Sequence, residues 1–316
     1  MQHFFSIAET VFLCYIINMV IRAEILGYCM GVRRAVDTVE KAIVDYPNHQ
    51  IYTLGPLIHN TTALTMLCNK GVKILDDDYP NILQNETKKS VVVIRAHGTP
   101  LDVRKNLENF NVTVIDATCP RVSLNQKRSA DYARRGYYVF IVGDKTHGEV
   151  IALQGAVFPK EKCIVFQNAS EAQDFLLHTN IADFKSILIS QTTITQDEYD
   201  AVKIVLQTAA QDILVFDTIC PATRERQNAL KNLYNQVNGI LVVGGKNSAN
   251  TRRLYQQAVQ LCKTYGKDKL IAHIETADEI PKEFYTLQNI GLTAGASTPD
   301  EVIDEVEKNL AKGVCL

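Results

Sequence analysis

Hydrophobic and polar positions along this chain switch between two periods. Short β-branched runs (VVVIRA, VTVID, YYVFIVG, SILIS, ILVFD, GILVVGG and NIGLTAG) have the length and composition of buried strands. Between them, Val32 to Val44, Val122 to Arg134 and Arg224 to Val237 carry apolar residues at helical spacing. Strands alternating with helices predict parallel βαβ units in a layered α/β fold.

A repeat lies over this alternation. Three strand-like runs end in a cysteine loop that opens a helix: AEILGYCMGVRRA, TVIDATCPRVSLN and LVFDTICPATRER. The last two share Asp-x-x-Cys-Pro, at Asp116–Pro120 and Asp217–Pro221. Proline just inside a helix start lacks only an N–H that would have no partner there. Cys119 and Cys220 are therefore expected at or near helix N-caps, and Cys29, with Gly27 and Gly31, in the same kind of turn. Two polar loops follow each cysteine at similar intervals. GPLIHN with His59 and RAHG with His97 follow Cys29; DKTHGE with His147 and SQTT with Thr192 follow Cys119; GGKNSAN with Ser248 and TAGAST with Ser297 follow Cys220. The repetition predicts three similar α/β domains with parallel sheets, spanning 19–118, 119–217 and 218–316, after an N-terminal extension over 1–18. Ligands bind at the carboxyl ends of parallel strands, where all nine loops are expected.

Composition narrows the partners. With 316 residues and 46% hydrophobic content, the chain can bury a large core. A net charge of -2 and no block of like charges give no reason to expect nucleic acid or a membrane surface, so local groups must bind any anion. The apolar run Val11 to Ile21 is too short to span a bilayer and lacks the flanks of a secretory signal, so a cytoplasmic location is expected. Eight cysteines without a CxxC pair exclude a small disulfide scaffold and argue against a zinc knuckle or thioredoxin-type site. A lone cysteine is ordinarily a packed thiol, and Cys14, Cys68, Cys163, Cys262 and Cys315 carry no further signal.

The repeated loops change that default. A helix N-terminus favours thiolate, the metal-binding form, and three such loops converging would make a three-thiolate site. Soft sulfur ligands suit zinc, copper(I) or an iron–sulfur cluster. A 4Fe–4S cluster normally takes four cysteines, so three leave one iron open, as in a catalytic centre. His59, His97 and His147 in Gly-bearing loops, with Ser248, Asn250 and Ser297 as neutral donors, suit a phosphate-bearing ligand. No phosphate loop or dinucleotide fingerprint appears, so a nucleotide is not implied. Glu149 is either a shielded general acid or a solvated loop-tip charge. Thr192 and Thr193 either relay a proton or close a turn.

In order, GYCMGVRRAV, GPLIHN, RAHG, DATCP, THGEV, SQTT, ATRERQ, GGKNSANTRRL and TAGASTPD resemble the hydroxymethylbutenyl diphosphate reductases, the IspH/LytB family, from about Ala23 to about Val306. The resemblance implies a trefoil of three α/β domains around a central 4Fe–4S cluster held by Cys29, Cys119 and Cys220. It implies two-electron reductive dehydroxylation of 4-hydroxy-3-methylbut-2-enyl diphosphate, the last step of the non-mevalonate isoprenoid pathway. The donor would be a ferredoxin or flavodoxin. His59, His97, His147, Ser248, Asn250 and Ser297 match substrate-binding positions, Glu149 the proton donor, and Thr192 or its neighbour Thr193 the group at the reacting hydroxyl. Gly148 stands where proline is usual, Ala249 where serine is frequent, and Pro221 is a less familiar choice. Two other readings share these residues: a three-cysteine iron–sulfur hydro-lyase, and a non-enzymatic metal or redox sensor.

Overall fold

A computed structural model describes residues 19–210 and 212–312. The chain opens with β1 (Met19–Arg22) and α1 (Met30–Asp45). A first sheet follows from β2 (Gln50–Leu54), β3 (Lys73–Leu75), β4 (Ser90–Ile94) and β5 (Val112–Asp116). Helices α2 (Thr61–Asn69), α3 (Tyr79–Gln84) and α4 (Leu101–Leu107) connect them. The second set is α5 (Pro120–Arg134), β6 (Tyr138–Val142), α6 (Gly148–Gln154), β7 (Cys163–Phe166), α7 (Ala169–His178), β8 (Ser186–Ser190), α8 (Gln196–Ala209) and β9 (Leu214–Val215). The third is α9 (Pro221–Tyr234), β10 (Gly239–Val243), α10 (Ala249–Tyr265), β11 (Leu270–Ile274), β12 (Asn289–Ala294) and α11 (Asp300–Lys312).

All strand pairings are parallel, in three four-stranded sheets of one order: β3-β2-β4-β5, β7-β6-β8-β9 and β11-β10-β12-β1. The α/β class with parallel sheets is as the alternation predicted. One boundary differs. Met19–Arg22, expected to open the first domain, pairs with β12 and completes the third sheet. In each sheet the outer strand is the one leading into the next cysteine. In the third sheet the strand leading into the first cysteine takes that place. Periodicity shows that a strand exists but not whose edge it joins. The expectation for residues 1–18 lies outside the described residues, as do Cys14 and Cys315.

Each sheet is covered on both faces, because alternate side chains of a strand point to opposite sides. Val91 and Val93 of β4 join Val39 of α1, while Val92 joins Tyr79 and Leu107. Phe140 and Val142 of β6 meet Val202 and Leu206 of α8, and Val139 and Ile141 meet Ala133 and Val150. Leu241 and Val243 of β10 pack with Val306 of α11, and Ile240 and Val242 with Leu230 and Leu254. Buried on both faces, these strands read as continuous apolar runs. The strands β2, β3, β7 and β11 did not stand out in the sequence. Helix α9 stops at Tyr234, short of Val237, which is buried in the same core as part of the following turn. Among the described residues, no helix is long and apolar enough to cross a membrane.

A candidate active site where nine loops meet

Parallel pairing puts the carboxyl end of every strand on one side of its sheet, and the nine polar loops follow those ends. Cys29, Cys119 and Cys220 are the N-cap residues of α1, α5 and α9. Each is held in the same way: its N–H donates to Ala296 (3.1 Å), Ala96 (2.9 Å) and Thr192 (2.9 Å) respectively, in the loop after a neighbouring strand. The thiols converge. A Cβ on Gly31 would lie 2.6 Å from Cys119 Sγ, so glycine there leaves room for a second cysteine against the start of α1. Burial raises the Cys119 thiol above its ordinary range, aided by Cys29 and Cys220, and outweighs the N–H groups of Arg121 and Val122. The helix-terminus argument alone pointed the other way for this residue; the low-polarity surroundings dominate.

The three imidazoles form a second cluster. Ring centroids lie 4.7 Å apart for His59–His97, 5.0 Å for His97–His147 and 5.4 Å for His59–His147, with nitrogens close enough to share one ligand. Burial is the main cause holding all three below their ordinary value, His97 well below it and His147 at about 3, so the rings are neutral near pH 7. His147 caps α6, its Nδ1 accepting the Glu149 N–H at 3.2 Å. A neutral ring that accepts at Nδ1 carries its proton on Nε2 and can donate it. His59 Nε2 and His97 Nδ1 are buried without a partner, an arrangement that costs free energy unless a ligand meets them.

The third wall is neutral. Ser248 caps α10, accepting the Thr251 N–H at 3.3 Å. Ser297 Oγ donates to the His59 carbonyl at 3.1 Å and lies 3.5 Å from Ser248 Oγ. Asn250 Nδ2 is buried without a partner. A Cβ on Gly245 would stand 2.5 Å from the His59 carbonyl oxygen, so two loops approach at backbone contact.

Glu149 is 0% exposed. Of its two readings, the solvated loop tip is excluded. It lies in the first turn of α6, where Thr192 donates its N–H to Oε1 (2.8 Å) and its hydroxyl to Oε2 (2.7 Å). Burial pushes its pKa up to about 7, while these two bonds and Arg253 hold it lower than burial alone would. Gly148 does not leave this carboxyl loose, because Thr192 fixes both oxygens.

All eleven predicted residues line one pocket: Cys29, Cys119, Cys220, His59, His97, His147, Glu149, Thr192, Ser248, Asn250 and Ser297. Cys68, Cys163 and Cys262 are free thiols outside it. Sequence reasoning missed two buried arginines. Arg226, 2% exposed, lines the pocket and donates to the Gly27 carbonyl at 2.6 Å. Arg253 bonds both oxygens of Asp144 (3.1 and 3.2 Å) and both of Glu198 (3.0 and 3.2 Å). Both arginines lie within conspicuous motifs, ATRERQ and NSANTRRL, but a motif does not say which arginine turns inward.

The donor set suits a soft metal centre beside an anion. Three half-buried thiols face one space, and orphaned imidazole and amide nitrogens face the same space.

A family model described as LytB protein matches residues 20–311. The 4-hydroxy-3-methylbut-2-enyl diphosphate reductase of Treponema denticola is 47% identical over 296 residues, 92% of this chain and 99% of that protein. The reductase of the same name from Aquifex aeolicus is 35% identical, over 92% of this chain and 95% of its own length. Among solved structures, an (E)-4-hydroxy-3-methyl-but-2-enyl diphosphate reductase titled as the terminal enzyme of the non-mevalonate pathway superposes with TM-score 0.65 at 34% identity, covering 93% of this chain and 99% of that one. The Plasmodium falciparum diphosphate reductase shares the fold with TM-score 0.82 at 22% identity, covering 92% of this chain and 87% of that one.

Proposed function

The chain belongs to the LytB protein family, and from that membership we propose that it reduces 4-hydroxy-3-methylbut-2-enyl diphosphate to isopentenyl and dimethylallyl diphosphate, the terminal step of the non-mevalonate pathway. The observation that carries this reading is one pocket that joins three cysteine N-caps, three neutral histidines and a fully buried carboxyl fixed by Thr192. An iron–sulfur cluster, 4Fe–4S with Cys29, Cys119 and Cys220 as ligands, fits the three thiols. When bound, such a cluster supplies electrons and a Lewis-acidic open iron.

The rest of the chemistry belongs to side chains. His59, His97 and His147 stay neutral and bind the diphosphate as N–H donors, joined by Ser248, Asn250 and Ser297. Fixing that end orients the allylic hydroxyl, a positioning gain worth several kcal/mol. Glu149, whose pKa of about 7 keeps a large share of the carboxyl protonated near neutral pH, gives its proton to the departing hydroxyl, which leaves as water. Thr192 holds the carboxyl in place and accepts or returns a hydrogen bond as its charge changes. Two electrons and a second proton, delivered to either end of the allyl group, complete the balance. A cytoplasmic ferredoxin or flavodoxin suits the electron supply.

Glu149→Gln tests the assignment. Iron and sulfide content should match the parent protein while reduction with dithionite and a viologen dye is lost. Full activity refutes the acid role, and turnover without any reductant would identify a hydro-lyase instead.

A further inference from the structure

The neutral histidines leave a question of charge. A diphosphate carries several negative charges, and the imidazoles around it offer N–H groups but no net positive charge. Arg121 and Arg226 line the pocket from the cysteine-capped helices α5 and α9, and a further permanent cation lies behind the histidines. Arg95 opens the RAHG loop and is half-buried, with no ion-pair partner among the described residues. Burial lowers its pKa and only the field of Asp77 acts against this. A guanidinium nevertheless stays protonated.

Its surroundings are three glycines, one from each histidine loop. A Cβ on Gly55, four residues before His59, would lie 2.7 Å from Arg95 Nη1. A Cβ on Gly148, directly after His147, would lie 2.7 Å from Nη2. Nε donates to the carbonyl of Gly98, directly after His97, at 3.4 Å. Gly55 and Gly98 have positive φ (72° and 75°) and need glycine for the backbone as well. Gly148 does not: it begins a helix without positive φ. The space it leaves is filled by the guanidinium. This accounts for glycine at the position between His147 and Glu149. The same charge acts on the neighbouring rings, with Arg95 among the causes that keep His59, His97 and His147 from protonating.

We propose that Arg95 is a positioning residue, which packs between the three histidine loops at Gly55, Gly98 and Gly148 and provides a fixed positive charge behind the histidines for the diphosphate end of the substrate. The inference rests on the diphosphate reading of this pocket and adds to it a group outside the pocket lining. Arg95 adds to the burial that keeps the histidines neutral donors and attracts the anion through them. A lysine keeps the charge but not the planar fork that spans three loops.

The test uses cluster-loaded protein under anaerobic conditions, with inorganic diphosphate as the calorimetric probe and the allylic diphosphate as substrate. Arg95→Met should raise the diphosphate Kd and the substrate KM by about tenfold, with kcat within about threefold, as expected for removal of one fixed charge. Arg95→Lys should recover part of that loss. Gly148→Ala, which keeps the arginine but pushes its guanidinium away, should weaken diphosphate binding in the same direction. His97→Ala serves as the reference. If His97→Ala loses diphosphate binding while Arg95→Met and Gly148→Ala keep it, the role of Arg95 is overturned and the site reading stands. If none of the three affects diphosphate binding, the site reading fails and this inference fails with it.

Discussion

At the scale of single residues, the balance at Glu149 sets the chemistry. Burial drives its proton on, and the Thr192 hydroxyl bond favours the charged form. Thr192→Val removes that hydroxyl bond and leaves the backbone bond at 2.8 Å. The Glu149 pKa should then rise further above about 7, so the descending limb of kcat/KM against pH moves to higher pH. A loss of rate of about tenfold should accompany the lost orientation. A limb that stays in place would show that another group titrates there. Stability responds to the same shift. The native carboxyl holds its proton where the unfolded one, near 4.5, has lost it. Native protein therefore binds more protons between these values, and stability falls as pH rises from about 4.5 through about 7. The full effect is roughly 3 kcal/mol. Glu149→Gln escapes it, so its melting temperature should gain on the parent's across that window and run parallel above it. A constant difference at every pH contradicts the burial argument.

At the scale of elements, the site depends on loops that approach closer than side chains allow. Gly245, in the loop after β10, faces the His59 carbonyl, which is backbone and cannot swing aside. Gly245→Ala should displace that carbonyl, break its bond from Ser297 and cost about 1–3 kcal/mol of stability by overpacking. The substrate KM should rise at least as clearly as the melting temperature falls. An unchanged KM would mean that the His59 loop tolerates the shift.

At the scale of the whole molecule, the three sheets are held together by contacts that span long sequence distances. Arg253 of α10 reaches Asp144 in the loop after β6 and Glu198 of α8. It is only 8% exposed, whereas its acids are partly solvated. Arg253→Met should destabilise the fold by about 2–3 kcal/mol in urea unfolding, because two carboxylates lose their counter-charge. Adding Asp144→Asn should recover part of the loss. If the second change gives no recovery, the clamp is not an energetic unit.

The chain alone carried whatever depends on near neighbours in sequence. Apolar runs marked the central strands because each of them is buried on both faces. The repeated cysteine loops and the polar loops at strand ends marked eleven pocket residues because helix starts and tight turns demand local residue types. The edge strand β3 has only three residues in which to show a period, and the edge strand β11, LIAHI, is only partly buried and is interrupted by a histidine. Folding settled what depends on partners far along the chain. β1 is like the other strands in composition, and only pairing assigns it to the sheet of β12. Arg95, Arg226 and Arg253 read as ordinary surface charges until their burial is known. The pKa of Glu149 and the neutrality of the histidines follow from the exclusion of water, which is a property of the assembled pocket and of no segment within it.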